Sequence, residues 1–391
     1  MDLMMVAGEA SGDAHGAELI LALRREHPEL RFFGCGGEQM AAAGCELLVS
    51  NTELAVMGLF EVVRHLSRLR HLLHRLRTAM LARRPAAVIL IDFPDFNLRL
   101  AAVARRAGIP VLYFISPQVW AWRSGRIRQI RRDVQRLISI IPFEPAFYER
   151  HGMEVAYVGH PLVERVARAR AGLPAPAEFR HSLGLDAAAE LVALLPGSRR
   201  RELHYHLPVL CETARRLHAE RHVEFLLPVA PTLSLDEVRD AIPPPLRACI
   251  HLLPSSLMSA AVAHARLALV ASGTATLETA LLGTPLVVFY RLSPLTSLLG
   301  RRLVRLPHVS LVNLIAERSV VPELLQGDCN PDNLLSWAHR LLPDGDERSA
   351  MLEGLKEVAA RCGSPGAIAR AAAEVAAVLH LPSATPAPAI P

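Results

Sequence analysis

The chain has 391 residues, enough for two domains of ordinary size, and its composition (51% hydrophobic, 5% aromatic, 21% charged) excludes a disordered or fibrous polypeptide. Its six cysteines, Cys35, Cys45, Cys211, Cys249, Cys329 and Cys362, form no CxxC pair and no short spacing to histidine, which argues against a disulfide framework and a zinc site and for a reducing compartment. The net charge of +5 is compatible with nucleic acid, anionic lipid or phosphorylated substrates and selects none of them.

The opening residues run straight into a strand-like segment without the basic region and cleavage site of a signal peptide. Short apolar runs then alternate with amphipathic helical stretches: a strand at Leu3–Ala7, a helix over 15–26, a strand at Leu30–Gly34, a helix over 59–82, a strand at Ala87–Asp92, a helix over 98–107 and a strand at Pro110–Ile115. Strand signals resume at Arg136–Ile141 and Val155–Val158, and Arg165–Ala177 reads as a helix or linker. A second alternating set comes next: a strand at Glu190–Leu195, a helix near 207–219, a strand at His222–Leu227, a helix near 233–241, then strands at Cys249–Leu252 and Arg266–Ala271. The pattern predicts two doubly wound parallel sheets. Domains are expected at 1–168 and 169–345, with Ala-rich helices over 346–380 returning to the first domain and a disordered Pro-rich tail over 381–391. The longest apolar run, around 257–271, is broken by His264 and Arg266 and falls short of the ~18–20 residues of a spanning helix, so a cytosolic or peripheral chain is expected.

Ligands of such sheets bind beyond the carboxyl ends of the strands, which directs attention to four turns. Gly8-Glu9-Ala10-Ser11-Gly12-Asp13 has the glycines of a phosphate loop, but two acids at a helix N-terminus would repel a diphosphate; sugar hydroxyls or proton transfer suit it better, with helix capping by Ser11 or Asp13 as the alternative. Ile91-Asp92-Phe93-Pro94-Asp95-Phe96-Asn97 ends an apolar strand in two carboxylates and an amide. Burial there would raise a carboxylate toward working pH, so Asp92 is the candidate general base, while Asp95 and Asn97 are also possible caps. Pro196-Gly197-Ser198-Arg199 and Ser272-Gly273-Thr274-Ala275-Thr276-Leu277-Glu278 place small residues, amides and guanidinium at helix starts, as a nucleotide diphosphate needs; Glu278 can accept from ribose hydroxyls.

Read in order, the strings GEASGD (8–13), LAVMG (54–58), IDFPDFN (91–97), SPQVWAWR (116–123), VGHP (158–161), LPGSR (195–199), ASGTAT (271–276) and VSLVN (309–313) resemble the lipid-A-disaccharide synthase family over about residues 3–335. The resemblance implies a GT-B fold, α/β, with two Rossmann-like domains facing across a cleft. It implies transfer of 2,3-diacylglucosamine from its UDP form to the 6-hydroxyl of 2,3-diacylglucosamine 1-phosphate, with inversion, and neither cofactor, metal nor nucleic acid as partner. Asp92, with Glu9 as its competitor, becomes the catalytic residue. Ser11, Asp13, Met57, Asp95, Asn97, Gln118, Trp122 and Arg123 fall on the acceptor side. Gly197, Ser198, Arg199, Ser272, Gly273, Thr274, Thr276, Glu278, Arg291 and Asn313 fall on the donor side. Trp120 and Trp122 fit either an acceptor pocket or core packing.

Between 59 and 77 leucines at helical spacing face one way and arginines and histidines fill most of the rest. Phe60 and Leu72 lie off the apolar face, so Phe60, Leu66, Leu69, Leu72, Leu73 and Arg75 are read as contacts to an anionic membrane, on the inner face of the cytoplasmic membrane. A homodimer through 351–379 is a further expectation. The rivals are another UDP-sugar transferase acting on a lipid-linked acceptor, a UDP-sugar 2-epimerase and a basic binding protein. The first lacks a GGS-type first loop here, the second leaves the basic helix unexplained, and the third has no need of paired carboxylates at strand ends.

Overall fold

A computed structural model describes residues 1–55, 62–122, 124–292 and 307–382, with the backbone alone for 54, 55, 62–66, 121, 122 and 124. Among the described residues the strands form two all-parallel sheets. β1 (Asp2–Ala7), β2 (Arg31–Gly36), β3 (Cys45–Ser50), β4 (Ala87–Ile91), β5 (Val111–Phe114), β6 (Arg136–Ser139) and β7 (Ala156–Tyr157) lie in the order β3-β2-β1-β4-β5-β6-β7. β8 (Glu190–Leu195), β9 (Val223–Val229), β10 (Ile250–Pro254), β11 (Leu267–Ala271), β12 (Leu286–Tyr290) and β13 (Glu323–Leu325) lie in the order β10-β9-β8-β11-β12-β13.

Parallel sheets carry helices on both faces, so their central strands must be apolar throughout; AVILI in β4 and LALVA in β11 are buried along their whole length. In each sheet the winding reverses direction once, between β1 and β4 and between β8 and β11. The two turns leaving each of these strand pairs therefore open side by side, and they are the four turns that the sequence singles out.

The chain divides into two compact units, Met1–Pro161 joined by the segment beginning at Gly363, and Leu162–Cys362. The sequence reading divides the domains at 168/169 and keeps 346–380 together. In the structure helix Asp346–Arg361 belongs to the second unit and helix Ala367–Val378 to the first. Arg370 donates from Nε to the Val158 carbonyl at 2.9 Å, and Arg136 Nε meets Glu374 at 2.7 Å, so the last helix is docked by charge as well as by its apolar face. β3, β12 and β13 are missing from the sequence reading. β3 carries Glu46 inside a short run and β13 has three residues, whereas the apolar LVVFY of β12 has a plain strand signal. Among the described residues no helix is long and apolar enough to cross a membrane. All six cysteines are buried and free.

The helix Val62–Arg83 corrects one expectation. Leu72, taken as lying off the buried face, is 1% exposed and sits in the core of the first unit with Leu76, Met80 and Val88. Leu69 and Leu73 are partly buried against the same core, so the apolar surface of these leucines is used inside the unit. Arg75 donates to the Leu48 carbonyl at 2.6 Å and lies 4.0 Å from Glu53. Phe60 falls outside the described residues, as does the side chain of Leu66. Leu72→Ser should thus cost about 3 kcal/mol or more, from the lost transfer energy, the cavity and a buried hydroxyl, while the exposed Arg70→Ser stays within about 0.5 kcal/mol. Urea unfolding of the two variants measures the contrast; equal midpoints would refute the packing.

Candidate active site

In the first unit the turn after β4 departs from ordinary backbone. Asp92 and Phe93 both take positive φ, 45° and 49°, a left-handed conformation that costs energy for residues with a side chain. Two buried groups hold it. The Asn97 amide donates to the carbonyls of Asp92 at 2.8 Å and Ile91 at 3.2 Å, and the Tyr113 hydroxyl donates to the same Asp92 carbonyl at 2.5 Å. The turn after β1 packs directly on this one, for a Cβ on Gly8 would meet the Phe93 ring at 2.4 Å.

This arrangement turns the Asp92 carboxyl into a largely desolvated position. Burial pushes it up to about 6, the Glu9 carboxylate pushes the same way, and the Phe93 amide opposes them. Glu9 is exposed at the start of the helix Ala10–Glu26, and Ser11 is exposed one residue into it. The two candidate bases therefore share one strand-end region.

Asp13 corrects the sequence reading. It is 4% exposed and accepts from the backbone of Gly37 (2.6 Å), Gln39 (3.1 Å) and Met40 (3.1 Å), neutralising the start of the helix Glu38–Ala42. Its carboxylate is a brace between elements and not an acceptor ligand. Asn97, fully buried, spends its amide N–H on the Asp92 and Ile91 carbonyls, while its side-chain oxygen has no partner among the described residues. Asp95 is exposed and forms an ion pair with Arg126, and Gln118 is exposed after β5. Met57 and Arg123 lie outside the described residues; Trp122 is described by its backbone alone, at the end of the helix Val119–Trp122.

In the second unit the turn after β8 is held by its own carboxylate. Glu202 accepts from the amides of Ser198 (2.9 Å) and Arg199 (3.1 Å) and from the Tyr290 hydroxyl (3.1 Å). Gly197, at φ 112°, is left-handed and faces this carboxylate, which a Cβ would meet at 2.4 Å. The Ser198 amide, expected to bind phosphate, is thus already matched to an anion, whereas the Arg199 side chain is exposed. After β11 the Ser272 amide belongs to the sheet, bonded to Phe289 O at 2.9 Å, and open backbone begins at Gly273, where a Cβ would meet nothing within 4 Å. The helix Thr274–Leu281 starts there with Thr274 exposed and its first-turn N–H groups available to an anion. Glu278 is half-buried, raised by desolvation while Arg165 opposes, and accepts from Ser259 at 3.3 Å.

Two donor-side candidates are buried. Thr276 is fully buried and its hydroxyl returns to Gly273 O at 2.7 Å. Asn313 is 1% exposed and saturated: its oxygen accepts from Val320 and Val321, and its amide donates to Val321 O and Glu323. Both shape the interior of the unit.

Sequence reasoning missed His206. The imidazole is fully buried, its Nδ1 donates to the Pro196 carbonyl at 2.7 Å, and its Nε2 accepts from the Arg291 amide at 3.0 Å. It thereby ties the turn after β8 to the end of β12, with the exposed Arg291 side chain beyond. Burial holds its pKa below the usual 6.5, so it is neutral near pH 7. Its spacing of seven residues from Arg199 along one helix was the available signal. The group supplies stability above pH 6.5 that is lost as pH falls through its lowered folded value. His206→Gln should therefore be destabilised by about 1–3 kcal/mol at pH 7.5, with the difference from wild type narrowing toward pH 5. Denaturant titrations at both pH values check this, and a gap that widens in acid would contradict it.

With this geometry in place, the comparisons with known proteins are consistent. A family model described as lipid-A-disaccharide synthetase matches residues 3–364. The chain is 44% identical over 381 residues to a lipid-A-disaccharide synthase of Myxococcus xanthus, covering 96% of this chain and 97% of the relative. It is 45% identical over 375 residues to one of Syntrophus aciditrophicus, covering 95% and 96%. Among solved structures it is similar to the calicheamicin glycosyltransferase CalG4 (TM-score 0.62, 17% identity, 98% and 99% covered). It is also similar to a UDP-GlcNAc 2-epimerase from Neisseria meningitidis bound to UDP-GlcNAc (TM-score 0.65, 13% identity, 96% and 99% covered). These likenesses establish a GT-B fold of two Rossmann-like domains. On the family match and the identities over nearly its whole length, the chain belongs to the lipid-A-disaccharide synthase family.

Proposed function

We propose that this glycosyltransferase of lipid A biosynthesis condenses UDP-2,3-diacylglucosamine with 2,3-diacylglucosamine 1-phosphate, giving the β-1,6-linked tetraacyl disaccharide 1-phosphate and UDP. The observation that carries the mechanistic reading is the desolvated Asp92 carboxyl beside Glu9 at the point where the first sheet reverses its winding. Asp92 takes the proton of the acceptor 6-hydroxyl as that oxygen attacks C1 of the donor sugar, and the bond to UDP breaks on the opposite face. Glu9, Ser11 and Gln118, exposed at neighbouring strand ends, hold acceptor hydroxyls. The negative charge gathering on the diphosphate meets the Arg199 guanidinium, the first-turn amides from Gly273 and Thr274, and Arg291, while Glu278 accepts from the ribose.

A base with a carboxyl pushed up to about 6 must be ionised to work, so kcat/KM should rise with pH through about 6 and level off above it. Asp92→Asn should lower kcat by about 10²–10⁴-fold with the substrate KM values little changed, and Glu9→Gln should cost less. Mass-spectrometric detection of the disaccharide checks both; full activity in Asp92→Asn would transfer the role to Glu9. An epimerase would instead convert the donor sugar with no acceptor present.

We also propose peripheral binding to the anionic inner face of the cytoplasmic membrane through the exposed basic side of the helix Val62–Arg83, where Arg68, Arg70, His71, His74 and Arg77 lie. Each arginine near an anionic surface contributes about 1 kcal/mol. Replacing Arg68, Arg70 and Arg77 together by glutamate should release the protein from phosphatidylglycerol vesicles at low salt. Unchanged co-sedimentation would refute the assignment of this face.

A further inference from the structure

One buried carboxyl in the first unit has no part in the mechanism above. Glu144 opens the helix Glu144–Glu149 and is completely buried. Its Oε1 accepts from the Trp120 indole N–H at 2.9 Å, and its Oε2 meets the Ser139 hydroxyl at the end of β6. One turn on, the equally buried Tyr148 accepts from the Ser116 hydroxyl at 2.8 Å and donates to the Pro117 carbonyl at 3.1 Å. A single short helix thus grips the 116–122 segment at two points, Tyr148 at Ser116 and Pro117 and Glu144 at Trp120, while Phe143 packs edge-on against the indole with ring centroids 5.0 Å apart. That segment leaves β5, the strand beside β4, whose end carries Asp92.

The hydrogen bonds around Ser139 accommodate a neutral Glu144. Its hydroxyl has one hydrogen and two acceptors in reach, Ile141 O at 3.1 Å and Glu144 Oε2, and it already accepts from the Ile141 amide at 3.1 Å. A protonated Glu144 satisfies the set: its O–H donates to Ser139 Oγ, Ser139 donates to Ile141 O, and the free carbonyl oxygen takes the indole N–H. An ionised one would draw the Ser139 hydrogen to itself, leaving Ile141 O to the Glu144 amide alone at 3.2 Å, and would hold a full charge in a buried site. Burial pushes the group up to about 8 against the hydrogen bonds from Ser139, Trp120 and Ser116, and the Asp92 charge adds to the rise.

We propose that Glu144 is a positioning residue that works as a neutral acid, seating Trp120 and the 116–122 segment beside Asp92 to form a wall of the acceptor site. This rests on the acceptor reading given above for the first unit. The neutral form has a second consequence, since an ionised neighbour would oppose the charge that Asp92 needs to act as a base.

The test compares Glu144→Gln, Glu144→Ala and Trp120→Phe, with acceptor KM, donor KM and kcat measured separately and folding followed by thermal denaturation. Glutamine reproduces the neutral acid, its oxygen accepting from Trp120 and its NH2 donating to Ser139. It should restore activity to within about threefold of wild type, whereas alanine raises the acceptor KM about tenfold or more and leaves the donor KM near wild type. Trp120→Phe removes the indole N–H together with part of the ring and should shift the acceptor KM in the same direction, so the proposal is still tested if the alanine variant fails to fold. Glutamine as damaging as alanine would overturn the neutral-acid role, and acceptor and donor KM moving together would overturn the positioning role. A wild type that makes no disaccharide from these substrates would instead defeat the functional reading itself.

Discussion

The chemistry of the first unit depends on one backbone atom, the carbonyl oxygen of Asp92. Two consecutive residues with side chains stand in left-handed conformation there, and each costs on the order of 1 kcal/mol or more against the β region from which the strand has come. The hydrogen bonds from Asn97 and Tyr113 to that oxygen hold the turn, and neither group faces water. The gain is geometric. The strand ends abruptly, the helix Pro94–Arg106 begins with its proline at the first position, and the Asp92 carboxyl is left where solvent is scarce and Glu9 is near.

The second unit solves a related problem with charge instead of strain. Its turn after β8 gathers backbone N–H donors at a helix start, and an empty cluster of such donors is costly to keep in order. Glu202 occupies two of those donors from within, Tyr290 steadies Glu202, and the neutral His206 fixes the turn's distance from the end of β12. The turn is thereby held in one shape by groups of its own unit. The long side chain of Arg199 stays exposed, outside this set of bonds.

The sheets and their winding were legible because parallel strands buried on both faces must be apolar without interruption, and Leu3–Ala7, Ala87–Ile91, Glu190–Leu195 and Leu267–Ala271 read that way directly. The four chemical turns were legible for the same reason, since each begins where one of those runs stops. The sequence concealed the division of labour inside each motif. GEASGD contains an exposed Glu9 and a buried Asp13, IDFPDFN a desolvated Asp92 and a buried Asn97, and ASGTAT an exposed Thr274 and a buried Thr276. Polar residues a few positions apart in a strand-to-helix turn point to opposite sides of the backbone, and a string of letters does not say which side is open.

That division explains why a motif can be diagnostic of a family and still mislead about its residues. A reacting group needs access, but the strained or crowded turn that presents it needs buried polar partners just as strictly, and an unmatched amide or hydroxyl in the interior costs about as much as a lost catalytic contact. Asp13 answering three amides, Asn313 with all four of its hydrogen-bonding positions filled, and Glu144 between an indole and a serine belong to the second kind. Their side chains tolerate little change for reasons of satisfaction and not of substrate contact. Asparagine at Asp13, for instance, would bring two N–H hydrogens among three donors and lose the charge that the start of the helix Glu38–Ala42 prefers, although no atom of a ligand would have been touched. Sensitivity to substitution in this fold therefore does not by itself mark a residue that meets a ligand.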